Sequence, residues 1–165
     1  MPTATGADLA AVLQGRAAEI EAACAGLDDA VAGRRPAEGA WCIREQLSHL
    51  YGDDRDTFLA GIQRVLIEGV PELDVSPGIT HYTADRREIP FAALASAVCG
   101  QYRAIAEVAA RLTDEEISGR VRIELLKDTP FGATPTMGEW LVAIADLHLP
   151  GHITQIRETR QALGA

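Results

Sequence analysis

Aromatic residues are scarce in this 165-residue chain, at 5% of the sequence, although hydrophobic residues make up 47%. Half-buried sheets are rich in aromatic and β-branched residues, so the shortage argues against a β-sandwich. Abundant alanine instead favours closely packed helices. The length suits one domain with a single core, and no stretch resembles a linker between domains. We therefore predict one all-α domain that spans residues 1–165.

Positive charge is also in short supply, because 15 lysine and arginine residues are outnumbered by 24 aspartate and glutamate residues, giving a formal net charge of -9. A chain of this sign repels a phosphate backbone, so nucleic acid is not an expected partner. No run of eighteen apolar residues occurs, and residues 1–8 lack the pattern of a signal peptide. We expect no membrane partner and predict a cytoplasmic protein.

Cysteine is limited to Cys24, Cys42 and Cys99, which are odd in number and widely spaced. Their positions within helical patterns favour reduced thiols, buried as small hydrophobic side chains, over a disulfide framework. Their scattered placement also argues against a catalytic role for a protein thiol. The chain is therefore expected to hold three structural cysteines.

Apolar residues recur at helical spacing in four long segments. These segments cover about residues 7–31, 41–66, 90–112 and 136–163. Glycine and proline end the first two segments, and residues 71–88 have no sustained period and are expected to form a long loop. Four helices with connections too long for simple hairpins predict a four-helix bundle with crossover connections.

Two capping-box patterns lie in the second half of the chain, at Thr113 with Glu116 and at Thr136 with Glu139. The first predicts a short extra helical turn, and the second predicts the start of the fourth long helix. Between them, residues 120–126 alternate apolar and charged side chains. This alternation predicts one short extended segment with an exposed face.

Three histidines are candidate metal ligands. His148 and His152 are four residues apart on the predicted fourth helix, so their side chains project from one face. His49 lies on the predicted second helix and could approach them across the bundle. Three imidazoles with a free position for water are typical of catalytic rather than structural zinc sites. Spacing alone leaves open a half-exposed histidine pair that binds no metal.

Other residues near these histidines affect the predicted site. Pro150 removes a backbone donor within the fourth helix and is expected to kink it or to free the carbonyl of Asp146. Glu45 and Asp53 each lie one helical turn from His49 and could orient its ring, or could be solvated charges. The geometry of the histidine pair therefore depends on how the helix accommodates the proline.

His81, Tyr82 and Gln155 are further candidates for chemistry. His81 and Tyr82 lie in the predicted long loop, and loops over the end of a bundle often complete a site. Either residue could act as a general acid or contact a substrate. Gln155 could hydrogen-bond a bound water or a substrate. The alternative for all three is an ordinary surface position.

Two segments, WCIREQLSHL at residues 41–50 and HLPGHITQIR at residues 148–157, resemble the DinB/YfiT-like superfamily of four-helix metalloproteins. In that family a tryptophan opens the second helix ahead of the first histidine. A histidine pair spaced by four, followed by a glutamine, lies on the last helix. The matching positions in this chain are Trp41, His49, His148, His152 and Gln155.

The resemblance implies a divalent metal, most often zinc or nickel, held by His49, His148 and His152 with water completing the shell. It also implies a small-molecule substrate, and family habit suggests a homodimer. Relatives with known activity include enzymes that use low-molecular-weight thiols such as mycothiol or bacillithiol, so the first expectation is a metal-dependent thiol S-transferase. A metal-dependent hydrolase and a non-catalytic metal-binding stress-response protein are the alternatives. Three imidazoles alone would also suit copper or iron.

Overall fold

Helices dominate the fold in the computed structural model, which describes residues 5–69 and 71–165. In chain order, the helices are α1 (Gly6–Cys24), α2 (Asp29–Ala32), α3 (Ile43–Tyr51), α4 (Phe58–Gln63), α5 (Ala84–Glu88), α6 (Phe91–Ala109), α7 (Asp114–Ser118), α8 (Met137–Val142) and α9 (Leu149–Leu163). π-helical turns follow α4 (Arg64–Glu68) and join α8 to α9 (Ala143–His148), and Glu124–Leu126 form a 3₁₀ turn. No helix formed by the described residues is long and apolar enough to cross a bilayer.

The long helices form a four-helix bundle. Helix α1 packs against α6 and α9, and α3 packs against the same two helices. Helices α1 and α3 therefore occupy opposite corners, so the connection between them runs diagonally across the bundle. This arrangement confirms the predicted all-α bundle with crossover connections. Fully buried side chains at its centre include Leu13, Ile20, Leu47, Leu50, Tyr102, Ile105, Leu141, Ile153 and Ile156. Each such aliphatic side chain stabilises the fold by roughly 1.5–3 kcal/mol through burial.

The first predicted helix is too long at its C-terminal end. Helix α1 ends at Cys24, and Gly26 then adopts a φ of 77° that a helix cannot continue. The side chain of Asp28 accepts a hydrogen bond from the N–H of Val31 and so starts the separate helix α2. Apolar periodicity continues across this break, which explains why the sequence pattern did not reveal it.

The predicted second helix, residues 41–66, is likewise interrupted. Helix α3 ends at Tyr51, and the next residue, Gly52, has a φ of 89°. Two short antiparallel strands, β1 (Gly52–Asp53) and β2 (Asp56–Thr57), separate α3 from α4. The hydroxyl of Thr57 then caps α4 by accepting from the N–H of Ala60. Because the helix breaks here, His49 lies in the last turn of α3 and not in the middle of a long helix.

The predicted long loop over residues 71–88 contains helix α5, so the prediction of a helix-free loop is wrong for Ala84–Glu88. The hydroxyl of Thr83 caps this helix by accepting from the N–H of Arg86 at 3.2 Å. A Thr cap followed by charged residues gives a weak helical pattern because such a short helix has almost no apolar face. Residues 71–83 remain an irregular segment.

The segment predicted to be extended, residues 120–126, forms isolated bridges on both sides. Arg122 pairs in parallel with Glu72, and Arg120 pairs antiparallel with Thr136. The alternation places Val121 and Ile123 in the interior, each 1% exposed. Both predicted capping boxes also form, at the starts of α7 and α8. The extended character ends at the 3₁₀ turn.

Pro150 lies in the first turn of α9, directly after the π-helical turn Ala143–His148. In a π register each N–H donates five residues back, and residue 150 would then donate to the carbonyl of Ala145. Proline has no N–H to donate. The Nε of Arg16, on α1, donates to that carbonyl at 2.8 Å instead. The carbonyl that gains an outside partner is therefore that of Ala145, not the predicted Asp146, because the π turn shifts the register by one residue.

Candidate metal centre

Three helical segments bring the predicted ligands together. His49 comes from α3, His148 from the end of the π-helical turn, and His152 from the first turn of α9. One ring nitrogen from each histidine lies within 4.8 Å of the other two. The Nε2 atoms of His49 and His148 are 3.1 Å apart. The kink that Pro150 was expected to introduce therefore does not separate the pair.

The orientation of the His49 ring is set by a backbone carbonyl. Its Nδ1 lies 2.7 Å from the carbonyl oxygen of Ile79. Because a carbonyl can only accept, Nδ1 carries the proton and Nε2 is left with a free lone pair toward the other histidines. The suggestion that Glu45 or Asp53 orients this ring is wrong. The carboxylate of Glu45 accepts from the N–H of Cys42.

Aromatic side chains lie on two sides of the histidine group. The ring of Trp41 is stacked on that of His152 and is 5.3 Å from that of His49, centroid to centroid. The ring of Phe58 lies 5.3 Å from that of His148. These rings limit water access to the nitrogens. The role of Phe58 was not predicted, because its apolar periodicity is that of an ordinary core residue.

Burial keeps the imidazoles neutral. Desolvation lowers the pKa of His148 to about 3 and that of His152 to about 4, and repulsion from neighbouring histidine charges adds to both shifts. Desolvation also lowers the pKa of His49, against the opposing effect of its hydrogen bond to Ile79. Neutral imidazole is the form that binds metals. The group is therefore prepared to coordinate a cation at neutral pH without first losing protons.

The residues fit a divalent metal ion. Two imidazole nitrogens on a tetrahedral zinc ion at about 2.0 Å are expected to lie about 3.3 Å apart, close to the 3.1 Å between His49 and His148. Among the described residues, the Nδ1 atoms of His148 and His152 are buried without a hydrogen-bond partner. Since the Nε2 of His148 is the nitrogen that faces His49, its buried Nδ1 calls for an ordered water on the outer side of the ring. Three nitrogen donors suit zinc, nickel, copper or iron.

A large cavity of about 1180 Å³ adjoins the histidines. His81 and Gln155, two of the predicted candidates for chemistry, line it together with all three histidines. The Nδ1 of His81 lies 3.8 Å from the carboxylate of Asp53. His81 has a φ of 53°, a left-handed conformation that is uncommon outside glycine and is often found at functional sites. The chemical roles of His81 and Gln155 stay predictions.

Tyr82 makes a different set of contacts. Its hydroxyl accepts from the Nε of Arg44, which is buried on α3, at 2.7 Å. The guanidinium of Arg87 lies 5.5 Å from the Tyr82 ring centroid. These contacts hold the segment that carries His81 and the carbonyl of Ile79. Tyr82 thus lies against protein groups, whereas His81 lies on the cavity, and a role for Tyr82 in chemistry also stays a prediction.

The cysteines take no part in this centre. Cys24, Cys42 and Cys99 are free and buried, as predicted. Burial raises the pKa of all three thiols, that of Cys24 to about 12. A thiol with a raised pKa is a poor nucleophile and a poor metal ligand at neutral pH.

The metal-free protein is expected to lose stability as the pH falls from about 6.5 toward 4. An unfolded chain's histidines titrate near pH 6.5, whereas folded His148 and His152 stay neutral until about pH 3 and about pH 4. Between these limits the unfolded state binds more protons, so the free energy of unfolding falls by roughly 1 kcal/mol per pH unit for each histidine. Urea unfolding with chelator at several pH values measures the slope. His148→Gln should reduce it, and an unchanged slope in that variant would contradict this account.

The four-helix bundle and its histidine group are features that can be compared with solved structures. The chain has the DinB/YfiT-like four-helix-bundle fold, as its sequence resemblance predicted. It is similar to the solved structure of YfiT from Bacillus subtilis, described as "a probable metal-dependent hydrolase with an unusual four-helix bundle topology". The TM-score is 0.73 at 16% identity, over 96% of this chain and 87% of that chain. No family model and no curated protein sequence matches this chain.

Proposed function

We propose that this protein is a metal-dependent enzyme that acts on a small molecule, with hydrolysis as its reaction. The observation that carries the proposal is the group of three neutral imidazoles, His49, His148 and His152, beside a cavity large enough for a substrate. A zinc or nickel ion is the proposed cofactor. The similarity to YfiT, described as a probable metal-dependent hydrolase, supports this choice of reaction.

The three histidines would hold the cation, and the rest of the cavity would bind and orient the substrate. When bound, a divalent cation supplies Lewis acidity toward water and toward a substrate carbonyl. His81 is the proposed proton carrier, because it lies on the cavity with its Nδ1 3.8 Å from the carboxylate of Asp53. Gln155 is the proposed hydrogen-bonding group for substrate, since it lines the same cavity one turn after His152.

Transfer of an external thiol is the second candidate. The buried cysteines, with their raised pKa values, are poorly suited to provide a thiolate. A thiol S-transfer at this centre would therefore use a low-molecular-weight thiol that enters the cavity. The same three histidines would hold the cation, whose charge favours the thiolate form of a thiol.

Two measurements test the proposal. Untagged protein should contain about one zinc or nickel ion per chain by mass spectrometry, because a tag with histidines would bind metal itself. It should hydrolyse 4-nitrophenyl esters without added thiol, and chelation should abolish the activity until metal is restored. Product that forms only when a neutral thiol such as 2-mercaptoethanol is added would favour the transferase. Metal-loaded protein without turnover on either substrate type would favour a binding protein, and the absence of metal after reconstitution would overturn the proposal.

A further inference from the structure

Three large apolar side chains that are exposed to solvent line the cavity. Leu147, Leu125 and Ile79 are 53%, 43% and 45% exposed, and all three line the cavity. They come from three separate parts of the chain: the π-helical turn before α9, the 3₁₀ turn and the irregular segment before α5. Exposed large hydrophobic side chains are ordinary when scattered, but their convergence on one opening indicates a site for an apolar group.

The apolar surface continues inward to the histidines. Trp140, Ile144, Leu126 and Phe58 also line the cavity, and the ring of Phe58 lies 5.3 Å from that of His148, centroid to centroid. A molecule that lay along this surface would bring one end to the histidine group. At about 1180 Å³ the cavity exceeds the range of roughly 300–1,000 Å³ that is typical of small-molecule sites. It has room for an extended apolar portion as well as a reacting group.

The charges around the cavity are mainly negative. Asp53, Asp56, Asp74 and Glu158 line it, and Arg64 is the arginine among its lining residues. The Nη2 of Arg64 lies 2.8 Å from both carboxylate oxygens of Asp56, so this positive charge is already paired. Among the described residues, no lysine or arginine side chain pairs with the carboxylate of Asp53, Asp74 or Glu158. Asp53 accepts from the backbone N–H of Arg55 at 2.8 Å and lies 3.8 Å from the Nδ1 of His81. The field at the opening therefore disfavours anions.

We propose that the substrate of this centre is a neutral or cationic molecule with an extended apolar portion, which lies along Leu147, Trp140 and Phe58 with its reacting group at the histidines. The inference rests on the proposed function for the identity of the reaction, but the binding surface exists without the metal. Apolar side chains provide the attraction, and the carboxylates select against a negative charge. Anionic acids and anionic thiols are poor ligands for this cavity.

A matched series of eight-carbon probes tests the proposal: 1-octanol, octylammonium and octanoate. The chain has two tryptophans, Trp41 and Trp140, and both line the cavity, so tryptophan fluorescence reports its occupancy. The titrations use metal-free full-length protein, because octanoate could otherwise ligate the metal. Octanol and octylammonium are expected to bind with dissociation constants of roughly 100 µM or below, given the apolar area that eight carbons bury. Octanoate should bind at least about tenfold more weakly.

Variants locate the binding surface. Leu147→Ser should weaken octanol binding by about fivefold or more, because it removes an apolar contact at the rim. Val12→Ser, at a half-exposed position on α1 that does not line the cavity, is the matched control and should leave binding unchanged. Octanoate binding as tightly as octanol, no binding of any probe, or equal effects of the two variants would each overturn the proposal.

Two further outcomes separate the alternatives. Octanol affinity that falls as the protein concentration rises would indicate that a second copy of the chain covers the rim, which would also overturn the proposal. Octanol binding in metal-free protein that lacks all hydrolytic activity after metal loading would support the apolar site while contradicting the proposed function. The two proposals can therefore fail separately.

Discussion

The His148→Ala variant is expected to contain less than about a tenth of a metal ion per chain, against about one in the parent protein. His148 contributes the nitrogen that lies 3.1 Å from Nε2 of His49. Without it only two imidazoles remain, and two neutral donors do not hold a divalent cation against chelation by buffer. Mass spectrometry of untagged protein after dialysis measures this loss. His49→Ala should have the same effect.

The fold should survive this substitution. In the metal-free protein the Nδ1 of His148 is buried and has no hydrogen-bond partner among the described residues, so removing the ring removes an unsatisfied polar atom. Circular dichroism should therefore show an unchanged helical spectrum. His81→Ala is the matched control, because His81 lines the same cavity but lies outside the group of three. It should keep its metal while losing turnover, and full metal content in His148→Ala would contradict the centre.

Replacing Arg86 with methionine is expected to lower the free energy of unfolding by about 3 kcal/mol. The Arg86 side chain is 1% exposed. Its Nη1 donates to the carbonyl oxygen of Ser48 at 3.1 Å and to that of Gly52 at 2.7 Å, and its Nη2 pairs with the carboxylate of Asp54. The guanidinium also lies 5.1 Å from the ring centroid of Tyr51. Methionine fills the space but leaves these buried carbonyls without the donor.

The magnitude follows from which partners are left buried. Asp54 is 60% exposed at its side chain, so water can solvate its carboxylate once Arg86 is gone. The main cost therefore comes from the carbonyl of Gly52, because the carbonyl of Ser48 also accepts from the backbone N–H of Gly52 and keeps that donor. A buried group left unsatisfied costs roughly 1–3 kcal/mol. Chemical denaturation measures the loss. Arg111→Ala, which breaks an exposed pair with Glu107, is the control and should change stability by less than about 1 kcal/mol. Equal losses in both variants would contradict this account.

The Arg86 variant also tests how the fold supports the histidines. Arg86 ties α5 to the end of α3, next to His49, and α5 follows the segment whose carbonyl at Ile79 orients that ring. Because this support positions the ring of His49, Arg86→Met should weaken metal affinity by about tenfold even where the protein is fully folded. Arg86→Lys should recover part of the stability, since lysine retains a donor to the carbonyls but not the planar fork.

The sequence correctly predicted several structural elements whose hydrogen bonds join residues close together in the chain. The capping boxes at Thr113 and Thr136 form because each consists of side chains and N–H groups within one helical turn. Apolar periodicity predicted the long helices but not the breaks at Gly26 and Gly52, because apolar residues recur at helical spacing on both sides of each break. Glycine at a positive φ is recognisable only when the chain conformation is known.

The candidate centre also combines features that the sequence could predict with features that it could not. The spacing of His148 and His152 and the family resemblance pointed to the three histidines, and the fold places them together. Nothing in the sequence pointed to the carbonyl of Ile79, since a backbone carbonyl has no side-chain signature. Nor could the sequence predict that Phe58 would lie against His148 or that Tyr82 would be bound to Arg44. These contacts join residues 30 or more positions apart.

The sequence by itself determined the helical class, the bundle and the buried cysteines, because these follow from composition and period. It also pointed to the three histidines, through the spacing of His148 and His152 and through the family resemblance. Only the tertiary structure decided how the histidines are held. The π register before Pro150, the outside donor from Arg16 to Ala145 and the apolar mouth around Leu147 all depend on segments distant in the chain. Their free energies come from packing and desolvation between those segments, which no local pattern encodes.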